Sequence, residues 1–451
     1  MTDTIELSAE ASSADTIVRP SGGPRAVAAG IRAAVANYGD VLRTVGTSFG
    51  VFGIFAVQGI ILARLLGPEK RGAYGTVVFY PQALLYIGLL GTLLSIARHA
   101  ARNRDGLPSL RNAAVRLGLM TGAGTSVVVI VLALVALPAE KQYLAPLCIL
   151  CAFLLPWDHV RLTLLAVDHG SGAFRKYNRN LLVNAAVLPL LLGVLWALEN
   201  RSLEAVAAAT LLVPLVSLTY RFFSDGRGTI GRRAEPSPRT LVAEGIPYAF
   251  AQASSNIFNR LDGLLILWLA SLTVQGYYAA AISAGSVLVA APEALALFAF
   301  RFSARSSGRP SMRTLLRAGL AVTAVQVFTL LAFLALLEPL IVLVFGPSFR
   351  EAVPYARVLL PAHAICGITY VAGGYLRGRR KASVEVWSRV VGAAVMVAAV
   401  FAFRARWQDL SVPLAAVCGH STCAVLICWA VVRDVRRQNR VAHQSMEALA
   451  S

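Results

Sequence analysis

The chain has 451 residues, 57% hydrophobic and 14% charged, with a mean hydropathy of +0.65. Soluble domains carry nearer a quarter of charged residues, so this composition excludes a soluble enzyme or scaffold and indicates a polytopic membrane protein. A net charge of +19 would suggest nucleic acid in a soluble chain, but here the basic residues fill short loops between apolar segments, where they report orientation.

Residues 1–41 are polar and rich in Ala, Ser and Gly. With no basic-then-apolar start and no cleavage pattern, they read as a disordered cytoplasmic tail and not as a signal peptide. An apolar window of roughly 19 residues then finds twelve spans. Six lie near 45–66, 76–97, 114–137, 143–165, 180–198 and 203–222. Six more lie near 247–271, 277–300, 316–337, 354–376, 385–403 and 410–432. The resulting plan is a six-helix lobe at 42–223, a Gly- and Pro-bearing linker at 224–241, a second six-helix lobe at 242–433, and a cytoplasmic tail at 434–451.

Of the 42 Lys and Arg residues, counting those near a span end with the adjoining loop, 32 fall on the side of the termini and 9 opposite, and Arg260 alone lies deep within a span. Such a bias in short loops places both termini in the cytoplasm and fits an even number of spans.

The halves echo one another. Leu65-Leu-Gly-Pro-Glu-Lys-Arg-Gly72-Ala-Tyr74 aligns without a gap to Leu269-Ala-Ser-Leu-Thr-Val-Gln-Gly276-Tyr-Tyr278, each joining the first and second spans of its half. Arg98 and Arg102 match Arg301 and Arg305 in spacing, and Arg116-Leu-Gly-Leu echoes Arg317-Ala-Gly-Leu. Six spans per half give both repeats one orientation, related by an axis along the membrane normal. Transport sites lie between such halves, near the midplane.

The seventh span carries the clearest chemistry. At about 100° per residue, Gln252, Ser255, Asn256, Asn259, Arg260 and Asp262 share a sector of roughly 160°, opposite Phe250, Ile257, Phe258 and Leu261. Charges inside a bilayer cost a few kcal/mol or more each, so this face turns to a bundle interior or a wet cavity. Arg260 lies about 20 Å from Pro247, near mid-depth. Arg260 and Asp262, two residues apart, diverge.

Glu293, after Pro292 in the eighth span, is a candidate partner for Arg260. One reading is a structural ion pair; the other is an anion-binding arginine beside a carboxylate that exchanges a proton or cation. The expected substrate-binding residues are Arg260, Asn256, Asn259 and Gln252, and the expected ion-coupling residues are Asp262 and Glu293.

Other polar residues read more plainly. Trp157-Asp-His-Val-Arg161 is an interfacial anchor with a snorkelling arginine. His363 and His420 read as packed, hydrogen-bonded groups, and Cys148 and Cys151, a CxxC without a second pair, as small packing residues. No Gly-rich phosphate loop, metal-ligand spacing or nucleophile with a base is found, so no enzyme, cofactor, metal or nucleic-acid partner is expected.

Ile61-Leu-Ala-Arg-Leu-Leu-Gly-Pro-Glu-Lys-Arg-Gly-Ala-Tyr-Gly75 resembles the exit of the first span in bacterial polysaccharide flippases, members of the superfamily of multidrug, oligosaccharidyl-lipid and polysaccharide exporters. The resemblance continues through Asn259-Arg260-Leu-Asp262, Gly276-Tyr-Tyr-Ala-Ala280, Pro339-Leu-Ile-Val-Leu-Val-Phe-Gly346-Pro-Ser-Phe349 and the Gly-Arg-Arg-Lys381 loop, covering roughly 42–433. It implies an all-α, twelve-span, two-lobed fold like that of the multidrug exporters, which moves lipid-linked glycans across the bacterial cytoplasmic (inner) membrane by alternating access, driven by an ion or proton gradient. It also implies that Arg260 meets a diphosphate or acidic sugar and that Asp262 coordinates or couples. Lipid-linked glycan, membrane lipids, and a glycan polymerase or glycosyltransferases are the expected partners. The alternative is a multidrug efflux antiporter on the same fold.

Overall fold

A long apolar run in a bilayer must satisfy its backbone within itself, and helix is the solution open to a single segment. The computed structural model describes residues 24–225, 235–305, 312–379 and 381–450, which are helical with short turns and contain no strand. The first half holds α1 (Pro24–Gly88), α2 (Thr92–Arg102), α3 (Leu107–Val135), α4 (Ala145–Ala152), α5 (Leu155–Gly170), α6 (Phe174–Ala197) and α7 (Leu203–Asp225). The second holds α8 (Pro238–Phe258), α9 (Leu261–Leu269), α10 (Leu272–Arg305), α11 (Met312–Ala335), α12 (Leu337–Phe345), α13 (Val353–Gly378), α14 (Ala382–Trp407) and α15 (Ser411–Ala450).

Among the described residues, seven helical stretches are long and apolar enough to cross a membrane by themselves, and two bent pairs, α4–α5 and α11–α12, raise this to nine. Two of the seven, Gly46–Gly88 with 43 residues and Ala382–Gln438 with 57, each hold two of the expected crossings. The first is divided at Gly67, whose φ of 69° precedes Pro68. The last crossing, α8–α9, is interrupted at Asn259–Arg260, and the twelve-span layout follows.

One expectation needs correction. Residues 24–41 extend α1 as helix instead of forming a disordered tail, because Pro24 suits a first turn and alanines at 26, 28, 29, 33, 34 and 36 favour helix. Residues 1–23, and 226–234 of the expected linker, lie outside the described residues.

Each half builds its own core. The main first-half cluster centres on Leu62, Tyr74, Val77, Cys148, Leu155 and Leu192, and the second-half cluster on Phe258, Tyr278, Phe349, Leu360, Met396 and Val412. A smaller third cluster joins Ile96, Leu110, Leu117 and Val167 to Leu241 of α8. The two main clusters exchange one buried residue each: Ala63 packs in the second-half cluster and Leu267 in the first. These positions align in the sequence echo, as a two-fold relation requires.

The same reciprocity fixes the contact between lobes. A Cβ on Gly72 would stand 1.8 Å from the Leu272 carbonyl oxygen, and one on Gly276 would stand 1.9 Å from that of Pro68. A Cβ on Gly59 would meet Ser283 Oγ at 3.2 Å, and one on Gly263 would meet Phe79 at 3.2 Å. The α1–α10 seam is thus closed on the side away from the linker, by backbone against backbone. Gly276→Leu is expected to force the lobes apart there at a cost of about 1–3 kcal/mol or more, read as a lowered melting temperature in detergent. An unchanged melting temperature would mean that the contact is not close.

The second seam, α2 against α8, closes on the linker side. Glu244 accepts hydrogen bonds from Ser95 Oγ at 3.0 Å and pairs with His99 Nε2 at 3.0 Å, while Arg98 donates to the Tyr248 hydroxyl at 3.0 Å. Above them the chain leaves helical geometry at Leu90 (φ 52°) and Gly91 (φ 71°), where a Cβ on Gly91 would lie 2.3 Å from the Gly245 carbonyl oxygen. Irregular backbone is tolerated at membrane depth where protein covers it, as α8 covers the buried Gly91.

Candidate functional site

At the end of α1 away from Gly72, a cavity of about 450 Å³ lies between α1 and the second lobe. Ser48, Phe49 and Phe52 of α1 form one wall. The second lobe supplies the rest: Gln252 and Ser255 from α8, Glu293 from α10, Tyr370 and Arg377 from α13, and Glu385 and Arg389 from α14.

The charged rim of this cavity is built from the turn between α13 and α14. Arg377 Nη1 donates to Glu385 Oε1 at 2.7 Å, and Arg389 Nη2, one helical turn beyond Glu385, donates to the same oxygen. Glu385 is 3% exposed, and an added Cβ on Gly373 would meet its Oε1 at 2.9 Å, so the carboxylate is wedged against α13. Two guanidinium groups sharing one carboxylate leave a local excess of one positive charge. Glu293 faces the same cavity with Arg377 as the nearby opposing charge.

The six residues expected from the sequence do not converge. Gln252 and Glu293 line the cavity, and Asn259 Nδ2 reaches the hydroxyl of the lining residue Tyr370 at 3.4 Å. Asn256 instead donates to the Ala83 carbonyl, and Arg260 Nη1 donates to Gln82 Oε1 at 3.0 Å, so both bind the first lobe across the interface. Arg260 therefore contacts Gln82 and not Glu293.

Asp262 turns the other way. Its Oδ2 accepts from the Tyr278 hydroxyl at 2.7 Å and its Oδ1 from the Gly263 amide at 2.8 Å. The cause is the break after Phe258: the Arg260 amide bonds to the Ile257 carbonyl three residues back, which ends the regular 100° rotation. The carboxylate thereby sits in the first turn of α9, where amide dipoles favour negative charge. His420 Nδ1 is buried without a hydrogen-bond partner among the described residues, its ring 4.8 Å from that of Phe258. Asp262 exerts its charge on both His420 and His363. Among the described residues, no group of three His, Cys, Asp or Glu could hold a metal ion.

Residues 61–354, more than half of the chain, match the model of a family described as polysaccharide biosynthesis protein. No curated protein matches the chain in sequence. Among solved structures, the chain is similar to an inward-facing multidrug resistance MATE family transporter of the MOP superfamily, with a TM-score of 0.70 and 14% identity over 86% of this chain and 95% of that one. It is similar to the inward closed conformation of the lipid II flippase MurJ, with a TM-score of 0.67 and 10% identity over 87% of each chain. A MOP superfamily transporter from Pyrococcus furiosus, described as having a binding pocket of reversed polarity, gives 0.61 and 16% identity over 88% of this chain and 95% of that one. At these identities the likenesses establish the fold.

Proposed function

The chain belongs to the family of polysaccharide biosynthesis proteins, and from that premise we propose that it flips lipid-linked oligosaccharide or polysaccharide precursors across the bacterial cytoplasmic membrane. The observation that carries this reading is the cavity between two pseudo-symmetric lobes, which meet backbone to backbone on the far side, with two arginines at its rim. A guanidinium suits a phosphate or acidic sugar because it stays charged and donates in a planar fork.

With the termini and linker in the cytoplasm, the cavity faces the compartment where such precursors are made. Transport then requires the α1–α10 seam to open on the far side while the cavity mouth closes, beside the α2–α8 contact that already joins the lobes on the cytoplasmic side. Arg260 and Asn256, which hold the lobes together at mid-depth through Gln82 and Ala83, are released or re-formed in that movement. Asp262 and Glu293 are the groups assigned to ion or proton coupling, and Gln252 and Asn259 to contact with the glycan. The chain acts as a transporter and not as an enzyme, receiving its substrate from glycosyltransferases and handing it to a polymerase.

Arg260→Ala, expressed in a strain lacking the native gene, is expected to lower glycan export at least tenfold at normal protein level. Full export would remove Arg260 from the mechanism. The multidrug-efflux reading draws on the fold shared with drug transporters and on the aromatic wall of Phe49, Phe52 and Tyr370. Such a reading needs an excess of carboxylates to hold organic cations, whereas the two carboxylates here are matched by two arginines. Efflux of cationic dyes from a deletion strain is expected to be unchanged, and a marked change would favour the drug reading.

A further inference from the structure

We infer that Arg377 and Arg389, held by Glu385, form a diphosphate-binding subsite at the cytoplasmic mouth of the cavity, separate from Arg260. This inference rests on the flippase reading and gives its substrate a point of capture. Arg377 closes α13 and Arg389 lies in the second turn of α14, so both sit where a substrate rising from the cytoplasmic leaflet would first meet protein charge.

The geometry resembles a clamp more than a salt bridge made for stability. Glu385 is buried, with 4% of its side chain exposed, and a single oxygen receives both guanidinium groups. Each guanidinium carries five N–H donors, and each is engaged here through one nitrogen, with Arg377 keeping 38% of its side chain exposed and Arg389 13%. Donors remain on two adjoining forks that line a cavity. A diphosphate presents two phosphoryl groups joined through one oxygen, and each can take a bidentate pair from one fork. A monoester phosphate can fill only one.

Neighbouring lining groups extend the match. Gln252, Ser255 and the Tyr370 hydroxyl add neutral hydrogen-bonding groups to the same walls. Glu293 opposes it: its carboxylate looks onto the same space, so the cavity as a whole balances two cations with two anions. The subsite therefore binds its anion against a like charge, and removing that charge strengthens binding. This sign separates an anion subsite from a structural cluster, because a cluster that binds nothing gives Glu293 no effect on ligand affinity.

The test measures binding of inorganic pyrophosphate and of farnesyl diphosphate to the full-length protein in phosphatidylcholine nanodiscs, by calorimetry. Pyrophosphate is expected to bind more tightly than inorganic phosphate. Arg377→Gln and Arg389→Gln are each expected to weaken it about tenfold or more, and Glu293→Gln to tighten it several-fold. If a glutamine variant fails to fold, Arg377→Lys and Arg389→Lys carry the test: they keep the charge facing Glu385 but lose the fork, and are expected to lose affinity for pyrophosphate more than for phosphate.

Pyrophosphate binding that is absent from the wild type, or unchanged in both arginine variants, would overturn the subsite. So would equal competition by phosphatidylglycerol added to the nanodiscs, which would make it a lipid-headgroup site. These outcomes are distinct from failure of the flippase reading, which would appear as normal glycan export in the strain lacking the gene.

Discussion

Oxidation of a Gly59→Cys/Ser283→Cys double variant is expected to abolish glycan export, and reduction to restore it. A Cβ built on Gly59 lies 3.6 Å from that of Ser283, inside the 3.5–4.5 Å range of a disulfide. The bond would staple α1 to α10 on the far side of the seam, in the conformation seen here. A carrier that works by alternating access must part these helices once in each cycle, so a covalent staple leaves no residual route. Each single variant is expected to export normally in the presence of the oxidant, which controls for the six native free cysteines. Full export by the cross-linked protein would show that the seam never opens.

The second large effect is expected from Lys141→Met. Lys141 is 1% exposed, and its ammonium donates to the carbonyls of Leu267 and, at 2.6 Å, Ala270, at the C-terminal end of α9 in the opposite lobe. Arg64 acts in parallel, donating to Val344 at 2.8 Å and to Leu343 at the end of α12. A cation at a helix C-terminus both satisfies orphan carbonyls and complements the helix dipole. These two residues are therefore clasps between the lobes on the far side, added to the glycine contact.

Methionine keeps the apolar length of Lys141 but removes the charge. Hydrogen bonds to charged groups contribute about 1.5–3 kcal/mol, which converts to a shift of roughly tenfold to a hundredfold toward the outward-open state. The measurement is the rate at which a membrane-impermeant thiol reagent, added from outside, labels a cysteine at Ser283. Labelling at least tenfold faster in Lys141→Met than in its parent is expected. An equal rate would mean that the clasp does not set the equilibrium.

Much of the fold is legible in the sequence because a bilayer leaves few choices. Apolar length marks the crossings, and the gap-free echo of 65–74 in 269–278 marks the two lobes. Gly72 and Gly276, aligned on spacing alone, are found against one another's lobe because a two-fold axis brings equivalent positions together. The local departures are harder to read. A helical wheel assumes uninterrupted rotation, so it cannot register the break at Asn259–Arg260 that sends Asp262 to Tyr278 and Arg260 to Gln82.

Arg377 and Arg389 are obscured for a different reason. They belong to the loop arginines that report orientation, and nothing in a charge count separates an arginine that faces headgroups from one that faces a cavity. The available signal is Glu385, an acid four residues before Arg389 and eight after Arg377, in a loop region otherwise basic. A carboxylate in that position asks for partners, and the structure supplies both arginines.

Flipping itself can be observed in proteoliposomes that hold the purified chain and a fluorescently tagged polyprenyl-diphosphate oligosaccharide. A membrane-impermeant reductant bleaches the tag only in the outer leaflet. Protein-free vesicles are expected to lose about half of the signal, since lipid-linked sugar does not cross by itself. Vesicles with the wild-type chain and an imposed ion or proton gradient are expected to lose nearly all of it, and those with the oxidised Gly59→Cys/Ser283→Cys variant only half. Bleaching that stops at half with the wild-type chain, under both proton and sodium gradients, would contradict the assignment of this fold and cavity to lipid-linked glycan flipping.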